Sequence, residues 1–173
     1  MAINVEVKVR VTDPERAMVR LKKVTEQPIE HIEQEDVFFR VRRGRLKLRR
    51  SSGKLAELIY YERENRGTPR PSVYSVISIP DAELWEMVLA RELGELGRVR
   101  KIRFVGKRGR TRLHLDHVEG LGWFFELEVV LQKDDDLTEA VQEAETNLKA
   151  MALDKAPRVG VAYLDLLQQR GGL

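Results

Sequence analysis

The chain contains no cysteine among its 173 residues. Disulfides, thiolate nucleophiles, thiolate-based zinc fingers and iron–sulfur clusters are therefore excluded. No apolar run approaches the ~20 residues that a membrane-spanning helix needs. The N-terminal residues alternate like those of a strand and show no signal-peptide core. From these absences we expect a cytoplasmic protein with no membrane partner.

Aromatic residues are also scarce, at 6%, whereas charged residues make up 34% of the chain. The usual charged fraction is about 25%, so the excess charge has to be placed somewhere in the fold. The 31 basic and 28 acidic residues nearly cancel and leave a net charge of +3. This balance favours an anionic partner only weakly. The length predicts one domain spanning residues 1–173.

Charged and apolar side chains alternate along several predicted strands. In residues 124–130, Glu126 and Glu128 share one face, because successive side chains of a strand point to opposite sides. The same alternation recurs, with both signs of charge, in residues 4–10, 46–49, 101–104 and 112–116. If these strands share one sheet, one face is apolar and the other carries packed cations with a few carboxylates.

Cap and turn signals divide the chain into about eight strands and three helices. Asp13 and Pro14 supply an N-cap and a first helical residue, which predicts a helix over residues 14–25. Pro80 with Asp81, and later Asp136, begin the other two predicted helices. A tail segment that is amphipathic follows at residues 163–167.

The order of these elements predicts the fold class. Most strands are joined by short turns, which favours an antiparallel α+β domain over an alternating doubly wound sheet. Eight strands that close on themselves leave an interior able to hold one small ligand. We therefore predict an eight-stranded antiparallel β tunnel, or barrel, with a polar charged interior and amphipathic helices packed outside.

Carboxylates on the alternating faces are candidate metal ligands. Mg²⁺ and Mn²⁺ prefer hard oxygen ligands, often one or two carboxylates together with substrate phosphate oxygens and water. The alternative is a solvated outer sheet face, although five strands of the same polarity make that less attractive. The candidates are Glu6, Glu126 and Glu128.

Basic residues on the same faces form a candidate phosphate site. Arginine binds phosphate oxygens bidentately, and lysine supplies a mobile point charge. Packing such cations without a ligand is costly, and a metal-bound triphosphate would offset the cost. The alternative is a set of cross-strand salt bridges, each worth about 0–1 kcal/mol when exposed. The set comprises Lys8, Lys47, Arg49, Arg63, Lys101, Arg103 and Arg112.

Two other features permit different interpretations. The basic run over residues 40–50 could contact a nucleic-acid backbone. However, its leucines follow strand periodicity and few aromatics are available for base stacking, so nucleic acid is not the preferred partner. His114 and Asp116 share a strand face, which makes His114 a candidate ligand contact, whereas His117 points away from them.

Ordered motifs along the chain resemble those of the CYTH superfamily, also called triphosphate tunnel metalloenzymes. Residues 4–8, Asn-Val-Glu-Val-Lys, are similar to its N-terminal Glu-x-Glu-x-Lys signature. Residues 34–39 resemble its second-strand motif, and residues 44–49 and 100–103 resemble its two basic strands. Residues 112–128 resemble its closing block, and residues 163–167 its C-terminal ending. Residues 58–65 and 121–126 are most similar to the class IV adenylyl cyclase branch.

The resemblance implies a function and a site. The implied reaction is ATP to cyclic AMP and pyrophosphate with Mg²⁺ or Mn²⁺, and the implied assembly is a homodimer. The alternatives are a tripolyphosphate or thiamine triphosphate phosphatase, and a non-catalytic binder of phosphate ligands or RNA. The implied catalytic residues are Glu6, Lys8, Arg112 and Glu126, and the implied metal ligands are Glu6, Asp116, Glu126 and Glu128.

The chain departs from the family pattern at two positions. The first glutamate of the signature is Asn4, whose neutral amide predicts a weaker or smaller metal site. The lysine expected at the end of the strand that contains Tyr60 and Tyr61 is absent. Glu62 or Arg63 stands there, and alternation alone leaves open which of them faces the interior.

Overall fold

The computed structural model describes residues 1–171. The strands in this range are β1 (Ala2–Arg10), β2 (Glu30–Phe39), β3 (Arg45–Ser51), β4 (Ala56–Arg63), β5 (Arg70–Ile79), β6 (Glu95–Arg108), β7 (Thr111–Val118) and β8 (Gly122–Leu131). The helices are α1 (Pro14–Val24), α2 (Ala82–Leu93), α3 (Leu137–Ala150) and α4 (Tyr163–Gly171). None of the described helices is both long and apolar enough to cross a membrane.

All eight strands belong to one closed antiparallel sheet. Their order is β1-β5-β4-β3-β2-β6-β7-β8, and β8 pairs back onto β1. In the β1–β8 ladder Lys8 lies opposite Glu126, and in the β2–β3 ladder Asp36 lies opposite Arg49. This register brings the charged face of each strand beside that of its neighbour, inside the tunnel. The predicted fold class is therefore confirmed.

The main apolar core lies between the outer face of the sheet and the helices. Val5, Val7 and Val9 of β1 are fully buried there with Leu21 of α1 and Leu148 of α3. The same alternation that directs the charges inward thus directs the apolar side chains outward, where two helices remove them from water. Helix α2 covers β2 and β3 in the same way.

Three of the helices begin at the predicted caps. The Asp13 side chain accepts a hydrogen bond from the backbone N–H of Arg16, and the Asp136 side chain accepts one from that of Thr138. Asp81 caps α2 in the same manner. These bonds satisfy N–H groups that have no partner within the helix.

The tail forms a fourth helix that closes one end of the tunnel. Tyr163 and Leu164 pack against Phe124 and other residues at that end of the sheet. Arg45 holds the start of α4 through two hydrogen bonds to Asp165, of 2.9 and 2.7 Å. The predicted amphipathic segment is therefore also a wall of the interior.

Candidate active site

The closed sheet surrounds a cavity of about 190 Å³. Every predicted site residue except Asp116 and His114 lies in its wall: Glu6, Lys8, Lys47, Arg49, Arg63, Lys101, Arg103, Arg112, Glu126 and Glu128. The open choice on β4 is resolved, because Arg63 faces the cavity while Glu62 lies outside and accepts a hydrogen bond of 2.6 Å from the Tyr60 hydroxyl. The structure thus brings the predicted residues together, while their chemical roles stay predictions.

Asp36 organises one group of cations in the wall. Its carboxylate accepts hydrogen bonds from Lys47 Nζ at 2.9 Å, Arg49 Nε at 2.7 Å and Lys101 Nζ at 3.2 Å. Burial alone would raise the pKa of Asp36, but its three cationic partners hold it well below the usual range. Burial lowers the pKa of Lys101 to about 7 and that of Lys47 to about 8. One carboxylate therefore offsets only part of the charge around it.

Glu126 organises a second group. Its two oxygens lie 3.2 Å from Lys8 Nζ and 3.3 Å from Arg103 Nη2. Burial would raise the pKa of Glu126, but Lys8, His114 and Arg103 outweigh it, so the pKa lies well below its usual value. The carboxylate is therefore ionised at neutral pH.

Glu6 holds a third group near β4 and β5. Its Oε1 lies 3.0 Å from Arg63 Nε and 3.1 Å from Arg70 Nη2. Burial and the nearby Glu126 raise the pKa of Glu6. Arg70 is fully buried and also donates a hydrogen bond to the backbone oxygen of Arg66. Arg70 comes from β5, which pairs with β1, and Arg63 comes from β4, the next strand along the sheet.

Sequence reasoning missed Asp36 and Arg70. Asp36 lies within the segment that resembles the second-strand motif, so the resemblance offered a signal for it. Arg70 follows Pro69 at the start of β5 and lies two residues before Ser72, which faces the cavity. Residues two apart in a strand point to the same side, but this signal could be used only once the start of the strand was known.

Asp116 lies behind the wall and supports it. Its two oxygens accept hydrogen bonds of 2.7 Å each from Arg103 Nε and Nη2. The Tyr163 hydroxyl donates a third bond, of 2.8 Å, to Asp116. Burial, together with Asp116, raises the pKa of Tyr163 well above its usual value, so the phenol stays a neutral donor. In this structure the Asp116 carboxylate therefore contacts Arg103 and Tyr163, and its role as a metal ligand stays a prediction.

A separate group of side chains fits a divalent cation. Ligand atoms of His114, Glu126 and Glu128 all lie within 4.8 Å of one another. His114 Nδ1 and Asn4 Oδ1 are buried without a hydrogen-bond partner. Carboxylates with an unengaged acceptor atom beside them suit a divalent cation of the Mg²⁺ or Mn²⁺ kind. Glu6 is not among the residues of this group; its Oε1 contacts Arg63 and Arg70 instead.

The sequence profile of the CYTH domain matches residues 2–159 of the chain. The chain belongs to the CYTH domain family. It is 28% identical over 173 residues to a Methanocaldococcus jannaschii protein provisionally named an adenylate cyclase, covering 95% of this chain and 98% of that protein.

Solved structures share the fold of this CYTH protein. A conserved hypothetical protein from Pyrococcus furiosus superposes with a TM-score of 0.80 at 25% identity, over 94% of this chain and 99% of that one. A provisionally named adenylyl cyclase from Hippeastrum, described with a dominant triphosphatase activity, superposes with a TM-score of 0.68 at 15% identity, over 100% and 97% of the two chains. The likeness to the second structure concerns the fold alone.

The wall of this CYTH tunnel has a formal excess of positive charge. Seven basic side chains and five carboxylates line the cavity, a difference of two positive charges if all are ionised. Arginine and lysine donors converge on a space closed at one end by Tyr163. Such a site can bind a multivalent anion and stabilise negative charge that develops on it.

Proposed function

We propose that this CYTH protein binds a triphosphate with a divalent cation in its tunnel and cleaves one of its phosphoanhydride bonds. The observation that carries the proposal is the group of buried cations around Asp36. Burial lowers the pKa of Lys101 and of Lys47, and the neighbouring cations lower both further. The single carboxylate of Asp36 does not offset these two effects. A polyphosphate would supply the missing negative charge, and its oxygens would accept the available hydrogen bonds.

The cavity size indicates which part of the substrate is enclosed. Pockets that enclose a whole drug-sized ligand measure roughly 300–1,000 Å³, whereas this one measures about 190 Å³. The polyphosphate chain is therefore the enclosed part, and any organic group lies towards the mouth. Arg112 marks the mouth, since its side chain is 46% exposed, compared with 4% for Lys8.

The proposed roles follow from these positions. Lys8, Lys47, Arg49, Lys101 and Arg103 contact the enclosed phosphates, and Arg63 and Arg112 complete the cradle. A divalent cation held by Glu126 and Glu128 would neutralise charge on the reacting phosphate oxygens. Asp36, Glu6 and Asp116 keep the basic side chains in position before the substrate arrives. The protein contributes chiefly positioning and electrostatic stabilisation, as expected for phosphoryl transfer.

Cyclisation of ATP is the first candidate reaction. The ribose 3′-hydroxyl attacks the α-phosphorus and releases its proton to water, the bond from that phosphorus to the β-phosphate bridging oxygen breaks, and pyrophosphate leaves. A nucleoside at the mouth would find Tyr74 and Val76 in the wall. The match to the Methanocaldococcus protein over nearly the whole chain supports this candidate.

Hydrolysis of tripolyphosphate or thiamine triphosphate is the second candidate. It is favoured by a cavity that encloses little more than a triphosphate chain. The activity described for the Hippeastrum protein is a further reason to test this reaction, although that protein shares only the fold.

Phosphorus NMR distinguishes the candidates. ATP, tripolyphosphate and thiamine triphosphate are each incubated with the protein and either Mg²⁺ or Mn²⁺. Cyclic AMP with pyrophosphate establishes the cyclase, and orthophosphate from the other two substrates establishes the phosphatase. Glu126→Gln should abolish either activity, whereas Glu62→Gln, on the outer face, should leave it unchanged. Binding without turnover of any substrate would reduce the protein to a phosphate binder.

A further inference from the structure

His114 has an unusual position for a histidine without a recognised role. The residue is 4% exposed, and its Nδ1 is buried without a hydrogen-bond partner. The nearest carboxylate oxygen, Glu126 Oε1, lies 3.9 Å away, beyond hydrogen-bond distance. That carboxylate is already engaged by Lys8 and Arg103. An unpaired buried nitrogen is destabilising unless another partner is present.

The strand register directs His114 towards the candidate metal carboxylates. On β7, His114 lies opposite Glu126 of β8, and Arg112 lies opposite Glu128. The ligand atoms of His114, Glu126 and Glu128 lie within 4.8 Å of one another, so a cation about 2.1 Å from each could join them after small side-chain rotations. The imidazole therefore stands where a third ligand would be.

Strand β1 offers few free carboxylate oxygens to a cation at this site. Asn4 on β1 offers a neutral amide oxygen, which is buried without a hydrogen-bond partner. Glu6 is engaged by Arg63 and Arg70. The candidate ligands for a cation at this site are therefore two carboxylates, Glu126 and Glu128, and the imidazole of His114.

We propose that His114 Nδ1 coordinates the divalent cation together with Glu126 and Glu128. Mg²⁺ prefers oxygen ligands alone, whereas first-row transition metals accept imidazole and follow the order Mn²⁺ < Fe²⁺ < Co²⁺ < Ni²⁺. The site therefore selects Mn²⁺ or a later transition metal over Mg²⁺. The inference rests on the proposed function, because it takes the metal to be the one that acts on the triphosphate.

Pulsed electron paramagnetic resonance of bound Mn²⁺ tests the coordination directly in the unaltered protein. Spectra are recorded with Mn²⁺ alone and with Mn²⁺ plus a methylene-bridged, nitrogen-free analogue of tripolyphosphate. The predicted result is a nitrogen coupling that changes when the protein is prepared with ¹⁵N-labelled histidine. Because the wild-type sequence is used, the result does not depend on the folding of a variant.

Variants assign the coupling to one histidine and measure the selectivity. His114→Gln should remove the coupling, and His117→Gln should keep it, since His117 stacks on Trp123 outside the tunnel. In calorimetry, His114→Asp should lower the preference for Mn²⁺ over Mg²⁺ at least about tenfold, because a carboxylate replaces the imidazole.

The outcomes separate this inference from the proposed function. Mn²⁺ bound without histidine coupling, in a protein that still turns over a triphosphate, would overturn the role of His114 alone. Failure of Mn²⁺ to bind both with and without the analogue would overturn the inference and the metal-dependent function together. A histidine coupling in a protein without turnover would support the site while removing the proposed reaction.

Discussion

Arg103 on β6 and Asp116 on β7 face each other in the closed sheet and form a fully buried pair with two hydrogen bonds of 2.7 Å. The pair connects the cavity wall to the helix that closes the tunnel, because Tyr163 donates to the same carboxylate. Burial would lower the pKa of Arg103, but Asp116 raises it well above its ordinary value. The guanidinium therefore stays charged and fixed without substrate.

Removing Asp116 should therefore destabilise the protein. Asp116→Asn removes the bidentate counter-charge of the buried Arg103 guanidinium and leaves only its longer contact with Glu126, so we expect the free energy of unfolding to fall by about 3–5 kcal/mol. Urea denaturation measures this change. The control is Glu30→Gln, which disrupts an exposed pair with Lys54 and should cost at most about 1 kcal/mol. Equal losses in the two variants would contradict the buried-pair interpretation.

Asp36 should compete with substrate for the same cations. Asp36→Asn leaves Lys47, Arg49 and Lys101 without their shared carboxylate, so the protein without ligand should lose about 3–5 kcal/mol of stability. Tripolyphosphate should then raise the melting temperature of the variant more than that of the wild type. Thermal unfolding with and without tripolyphosphate measures both effects. A smaller shift in the variant would mean that Asp36 assists phosphate binding and does not compete with it.

The buried lysines predict an increase of stability with pH. Lys101 and Lys47 have pKa values of about 7 and about 8 in the folded protein, against about 10.4 in an unfolded chain. Between pH 7 and about 9 the unfolded state therefore binds more protons, so the free energy of unfolding rises with pH. Lys101→Met should reduce this slope, and Lys54→Met, at a more exposed site, should not. A stability that falls over this range would contradict the lowered pKa values.

Much of the fold could be predicted because charge and apolarity alternate with the period of a strand. The alternation fixes which side of β1 faces the helices, as in Val5, Glu6, Val7 and Lys8. A shift of one residue would bury the charged side chains under the helices. The caps at Asp13, Asp81 and Asp136 predicted where three helices begin. Local sequence was sufficient for these features because the physical causes are local.

Other features depend on contacts between distant segments and could not be predicted. Arg45 and Asp165 fix α4 across 120 residues of sequence, so the tail could be identified as amphipathic but not as the end wall of the tunnel. The family resemblance implied that Asp116 is a metal ligand. Its depth behind the wall follows from Tyr163, which closes over it from another element.

The adjacent residues Arg49 and Arg50 provide the most direct test of the tunnel as a triphosphate site. Arg49 points into the cavity and contacts Asp36, whereas Arg50 points outward to Glu86. Calorimetric titration with tripolyphosphate and Mn²⁺ should show Arg49→Gln weakening binding by about 10- to 100-fold, as expected for loss of charged hydrogen bonds worth about 1.5–3 kcal/mol. Arg50→Gln should bind like the wild type. Equal weakening in both variants, or no binding by the wild type, would contradict a triphosphate site inside the tunnel.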